Sequence, residues 1–154
     1  MRILGIDHIC IAVRDLEAAR KRYEGDLGLE PATVYIAPEE KIRVVRYYVR
    51  DVALELIEPT DSDSEVAKFI QRRGEGVFLI SFRIPDVEEA LRELQQKGVK
   101  TIDSRPRHLM GNRYAFIHPR ELCGVLTEVL DGEFQAPEGP RAEGMKILEF
   151  DDES

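Results

Sequence analysis

At 154 residues, with 43% hydrophobic and 34% charged side chains, the chain can bury a core and still present a well-solvated surface. Its formal net charge of −8 denies it the broad basic face that nucleic acid or an anionic membrane requires. Two cysteines are too few for a disulfide framework and no apolar run approaches the roughly 18 residues of a membrane span, so a cytoplasmic protein is expected.

Residues 5–13 alternate as a strand, with Asp7, Ile9, Ile11 and Val13 on one face and Ile6, His8, Cys10 and Ala12 on the other. Asp15 then caps a helix whose spacing recurs at Leu16, Ala19, Arg20 and Tyr23 and which Gly25 and Gly28 stop. Residues 31–37, 42–49 and 52–58 read as strands, the last two joined by a tight turn at Arg50-Asp51. Residues 61–75 form a linker, made of turn chemistry, a short helix over 65–73 with Val66, Phe69 and Ile70 on its apolar side, and a Gly74-Glu75-Gly76 joint.

Beyond the joint a second alternating strand sets Phe78, Ile80, Phe82 and Ile84 against Leu79, Ser81 and Arg83. Asp86 with Glu89 is a capping-box analogue for a helix striped by Val87, Ala90, Leu91 and Leu94 and closed by Gly98. Strands near 99–102, 113–117 and 124–130 follow. The tail, residues 132–154, is acidic, and its apolar patch Met145-Lys146-Ile147-Leu148-Glu149-Phe150 is expected to dock.

These elements repeat. His8 falls on Leu79, Val13 on Ile84, Asp15 on Asp86 and Ala19 on Ala90; at the end of each copy Glu55 falls on Glu128. The fold expected is α+β: one domain over 1–131 made of two βαβββ modules, 1–60 and 76–131, whose sheets form a half-barrel cleft with the helices outside. His8 and Leu79 are expected to face each other across that cleft, with Glu55 and Glu128 completing a ring. Exposed sheet edges call for cover, so a homodimer is expected.

His8, Glu55 and Glu128 then project into the concave surface, where a carboxylate between leucines is costly without a cation or strong donors. One His with two carboxylates suits a divalent ion such as Co²⁺, Mn²⁺, Ni²⁺, Fe²⁺ or Zn²⁺. Leu79 cannot ligate, so such a site is weak or absent unless water, substrate or His108 of the 105–111 loop fills the position. Cys10 shares the face of His8, but two residues along a strand is about 6 to 7 Å, too far for a nucleophile and its base, and it reads as a small buried thiol. Glu39 and Glu40 follow Pro38 on a turn at the mouth of the cleft, with Glu40 expected to face solvent.

The stretches Asp7-His8-Ile9-Cys10-Ile11-Ala12-Val13, Leu27-Gly28-Leu29-Glu30, Pro38-Glu39, Glu55-Leu56-Ile57-Glu58-Pro59, Arg73-Gly74-Glu75-Gly76, Ala115-Phe116-Ile117-His118-Pro119 and Gly124-Val125-Leu126-Thr127-Glu128 carry a resemblance. From about Ile6 to Leu130 the chain resembles the vicinal oxygen chelate superfamily of glyoxalases, extradiol dioxygenases and bleomycin-resistance proteins. Within it the chain is most similar to the methylmalonyl-CoA epimerases. That resemblance implies a metal held by His8, Glu55 and Glu128, a departure at Leu79 where a second His is expected, and acid/base roles for Glu39 and Glu128. The implied reaction is metal-assisted epimerisation of a carboxylated acyl-CoA thioester. The alternatives are a metal-free small-molecule-binding protein on the same fold and a glyoxalase-type lyase.

Overall fold

The computed structural model describes residues 1–136 and contains one eight-stranded sheet. The strands are β1 (Gly5–Ala12), β2 (Pro31–Ala37), β3 (Ile42–Val49), β4 (Val52–Pro59), β5 (Gly76–Arg83), β6 (Arg107–Leu109), β7 (Asn112–Ile117) and β8 (Thr127–Gly132). Their order is β2-β3-β4-β1-β5-β8-β7-β6, which reads as one four-stranded order meeting its own repeat. β1 pairs antiparallel with β5 at the centre, and each pairs parallel with the last strand of its own module, β4 or β8. The duplication seen in the sequence is therefore a pseudo-twofold about the β1/β5 pair.

Each module lays a helix on its convex face. α1 (Leu16–Arg20) starts where Asp15 accepts a hydrogen bond from the Ala18 N–H, and Leu16 packs with Val13, Val34, Val45, Tyr47 and Leu56. α3 (Val87–Gln96) is capped by Asp86 in the same way, and its Val87, Ala90, Leu91 and Leu94 meet Ile84, Ala115, Ile117 and Val129. The linker helix α2 (Glu65–Arg73) packs differently. Its Val66 and Ile70 join Cys10, Ala12, Tyr35, Val44, Ile57 and Leu79 on the concave side, so it seals one end of the cleft.

Several boundaries differ from expectation. Gly25 does not stop the first helix; a wide turn over Lys21–Asp26 carries the chain through it, and Gly28, at φ 73°, makes the exit. Residues 99–102 contribute only the bridge Thr101 to Ile117, and β6 forms instead at Arg107–Leu109 inside the expected loop. β8 starts at Thr127, after Cys123 and Gly124, which both take positive φ, and it runs on to Gly132, the residue at which the tail is expected to start. The docking expected for Met145 to Phe150 lies outside the described residues.

The far ends of the sheet approach each other. Glu40, in the turn between β2 and β3, accepts hydrogen bonds from Tyr114 Oη at 2.7 Å and Arg107 Nη1 at 3.0 Å, which belong to β7 and β6. This clasp curls the sheet into a half-barrel around a cavity of about 840 Å³.

Candidate active site in the half-barrel

His8, Glu55 and Glu128 all reach the floor of the cavity. His8 Nε2 lies 3.6 Å from Glu55 Oε1 and 3.4 Å from Glu128 Oε1. Tetrahedral ligands on bonds of about 2.1 Å are separated by about 3.4 Å, so each spacing alone is that of two ligands on one small cation; among the described residues, the ligand atoms that lie within 4.8 Å of one another are those of His8, Cys10 and Glu55, without Glu128. The residue partners strengthen the match. His8 Nδ1 is held by Asp7 Oδ2 at 2.7 Å, which turns Nε2 toward the carboxylates as in a carboxylate–histidine–metal arrangement. Glu55 Oε2 accepts from Tyr35 Oη at 2.8 Å and Arg46 Nη1 at 3.0 Å, leaving Oε1 toward His8. Ser81 Oγ donates to Glu128 Oε1 at 2.7 Å.

The cleft floor is charged and buried, and its titration follows from that. Burial alone lowers the His8 pKa, but the Glu55 and Glu128 charges outweigh it and push it up to about 9. Burial pushes the Glu128 carboxyl up to about 7, against the opposing pull of His8 and Ser81. Burial also works to raise Glu55 and Asp7, yet the neighbouring cations and donors, His8 first among them, hold both below the usual carboxylate range. Burial and the same two glutamates push the Cys10 thiol well up. Glu55 and Asp7 are therefore the fixed anions of the floor, while Glu128 can hold or release a proton near neutrality.

Three expectations for the site are modified. His8 and Leu79 do not oppose each other across the cleft; β1 and β5 are neighbours, with His8 paired to Ser81 and Cys10 to Leu79, so both sit on the floor. Glu39 is exposed and outside the cavity lining, whereas Glu40 lines it, because Glu40 and not Glu39 turns toward Tyr114 and Arg107. His108 is exposed on β6, since strand alternation points Arg107 and Leu109 into the cavity and His108 out of it.

Four contributors were not foreseen. Asp7 escapes simple alternation because the register between β1 and β5 shifts between Ile6 and His8, and its carboxylate comes round to His8, Arg46 and Arg83. The Asp-His dipeptide was the available signal. Arg46 sits directly across the β3/β4 ladder from Glu55, and Tyr35 and Ser81 follow from the same alternation once the strand order is known. The lining also holds Arg72 and Arg73 of α2, with Glu65 of the same helix, and Arg107 paired to Glu40.

A family model described as the glyoxalase/bleomycin resistance protein/dioxygenase superfamily matches residues 7–116. An uncharacterized protein of Bacillus subtilis is 39% identical over 127 residues, covering 82% of this chain and 91% of its own. An ethylmalonyl-CoA/methylmalonyl-CoA epimerase of Cereibacter sphaeroides is 28% identical over 127 residues, 80% of this chain and 95% of its own. Among solved structures, a variant of Streptomyces coelicolor methylmalonyl-CoA epimerase in complex with 2-nitronate-propionyl-CoA superposes with a TM-score of 0.82 at 33% identity, covering 89% of this chain and all of that one, 100%. Among the described residues, no helix is long and apolar enough to cross a membrane.

Proposed function

The chain belongs to the glyoxalase/bleomycin resistance protein/dioxygenase superfamily, and from that premise we propose that it epimerises a carboxylated acyl-CoA thioester, of the methylmalonyl-CoA kind, by abstracting the α-proton. The observation that carries this reading is one cavity of about 840 Å³ whose four lining glutamates include Glu40, in the turn between β2 and β3, and Glu128, on the floor beside a ligand-like cluster. A cavity of that size takes an acyl thioester head, and the names of the relatives point to the same substrate class.

His8 and Glu55 would hold a divalent cation, with Glu128 facing the same nitrogen. When bound, that ion supplies positive charge next to the oxygen on which negative charge develops as the α-proton leaves. The residues do the rest. Glu40, fixed by Tyr114 and Arg107, is placed to take a proton from one side of the bound thioester. Glu128, whose Oε1 accepts from Ser81 Oγ, is placed to exchange one from the floor. The proposal therefore moves the acid/base role from Glu39 to Glu40. Arg72, Arg73 and Arg107 give anionic groups of the substrate a place in the cavity lining.

Among the described residues, β2 and β6 leave the two outer edges of the sheet unpaired, and Ile3, Leu4 and, at the start of β1, Ile6 are exposed. We infer a homodimer that covers some of this surface, checked by mass in solution.

The test is exchange of the α-hydrogen of methylmalonyl-CoA with solvent deuterium. Glu40→Gln removes the base at constant shape and should slow exchange about 10²- to 10⁴-fold, while Glu39→Gln leaves it unchanged. Equal rates for wild type and Glu40→Gln would remove Glu40 from the reaction.

A further inference from the structure

Leu79 leaves the central floor short of one ligand, and the residue paired with it across the β1/β5 ladder is Cys10. Cys10 faces the cavity, is 4% exposed, and its Sγ lies 3.4 Å from Glu55 Oε1, the same oxygen that faces His8. One ligand atom from each of His8, Cys10 and Glu55 falls within 4.8 Å of the others. For bonds of about 2.3 Å to sulfur and about 2.1 Å to oxygen, a tetrahedral ion separates the two donors by about 3.6 Å. The spacing of the thiol and carboxylate matches this as closely as the His8 spacings match an ion bound by nitrogen and oxygen.

We propose that Cys10 replaces the missing ligand at Leu79, so that the protein side of the metal site is His8, Cys10 and Glu55 and its resident ion is Zn²⁺ or Co²⁺ rather than Mn²⁺. This rests on the metal-assisted reading above and deepens it. Sulfur moves the site toward borderline-soft ions, because a thiolate favours Zn²⁺ and Co²⁺ over ions that prefer oxygen. On metal binding the Cys10 S–H and the His8 Nε2–H would both break and two protons would pass to solvent, leaving one thiolate, one carboxylate and a neutral imidazole against two positive charges. A second consequence concerns Glu128. With three protein donors supplied by His8, Cys10 and Glu55, Glu128 need not ligate, and its carboxyl, held by Ser81, is left for proton transfer.

Co²⁺ titration of the full chain, followed by calorimetry and absorbance together, separates the claims. Wild type should bind one Co²⁺ and gain a thiolate-to-cobalt charge-transfer band in the near-ultraviolet. Cys10→Ser should lose the band and bind at least about tenfold more weakly, whereas Glu128→Gln should keep the band and bind within about threefold of wild type. X-ray absorption of Zn²⁺-loaded wild type needs no variant and should show one sulfur at about 2.3 Å. Binding without the band, without zinc-bound sulfur, and with equal affinity for Cys10→Ser would overturn the role of Cys10 while leaving the metal reading intact. No binding by wild type or by Leu79→His would overturn the metal reading itself, and Cys10 with it.

Discussion

Ser81→Ala tests how the cleft tolerates a carboxylate in its floor. Ser81 is 0% exposed, pairs with His8 across β1/β5, and places its hydroxyl 2.7 Å from Glu128 Oε1. A hydrogen bond to a charged group contributes about 1.5 to 3 kcal/mol, and the remaining methyl of Ala cannot replace it. For a chain of this length each kcal/mol moves the melting temperature by about 2 to 4 °C, so the expected fall is about 3 to 12 °C. The sign with pH is fixed by Glu128. Its carboxyl sits near 7, so well below that value it is protonated and asks less of a donor, and well above it the anion depends on Ser81. Thermal melts of wild type and Ser81→Ala at about pH 5.5 and about pH 8.5, in chelator, should show the larger loss at the higher pH. An equal, small loss at both values would mean that cleft water replaces Ser81, and that the serine does not tune Glu128.

Other outcomes follow from the same geometry. Leu79→His should tighten Co²⁺ binding by about tenfold or more in calorimetry, because it adds a donor beside Cys10 on the floor. Without metal, stability should fall as pH rises from about 4.5 through about 9: Glu128 at about 7 and His8 at about 9 both bind protons more tightly folded than unfolded, and urea melts in chelator across that range read it directly. Tyr35→Phe should weaken metal binding about 10- to 100-fold, since it frees Glu55 from one of the two donors that aim Oε1 at His8, with little change in fold by circular dichroism. Leu16→Ala, on the convex side, should cost about 2 to 5 kcal/mol in denaturant melts and leave Co²⁺ affinity unchanged.

The duplication was legible because hydrophobic alternation and the two Asp-capped helices recur at matched positions, and it brought His8, Glu55 and Glu128 to one surface. Alternation could say which face a residue takes but not which strands are neighbours. His8 and Leu79 were therefore set on opposite walls, when the central pairing of β1 with β5 makes them part of one floor. The same gap hid Cys10, whose significance depends on its pairing with Leu79 and on the Glu55 oxygen beside it. Glu39 and Glu40 sit on a turn, where no period tells one side chain from the next; the contact with Tyr114 and Arg107, 74 and 67 residues away, decides between them. Asp7 was misassigned because a register shift in β1 is invisible in the alternation that surrounds it.

The central claim is tested most directly by giving the metal-supplemented protein one pure epimer of methylmalonyl-CoA in deuterium oxide and following stereochemistry and α-deuterium together. Proton removal on one side and return on the other, by Glu40 and Glu128, predicts the opposite epimer with solvent deuterium at the α-carbon, and deuterium entering no more slowly than the configuration inverts. If the thioester binds in the cleft, yet neither inverts nor exchanges, the cavity is a binding site without this chemistry and the epimerase reading is wrong.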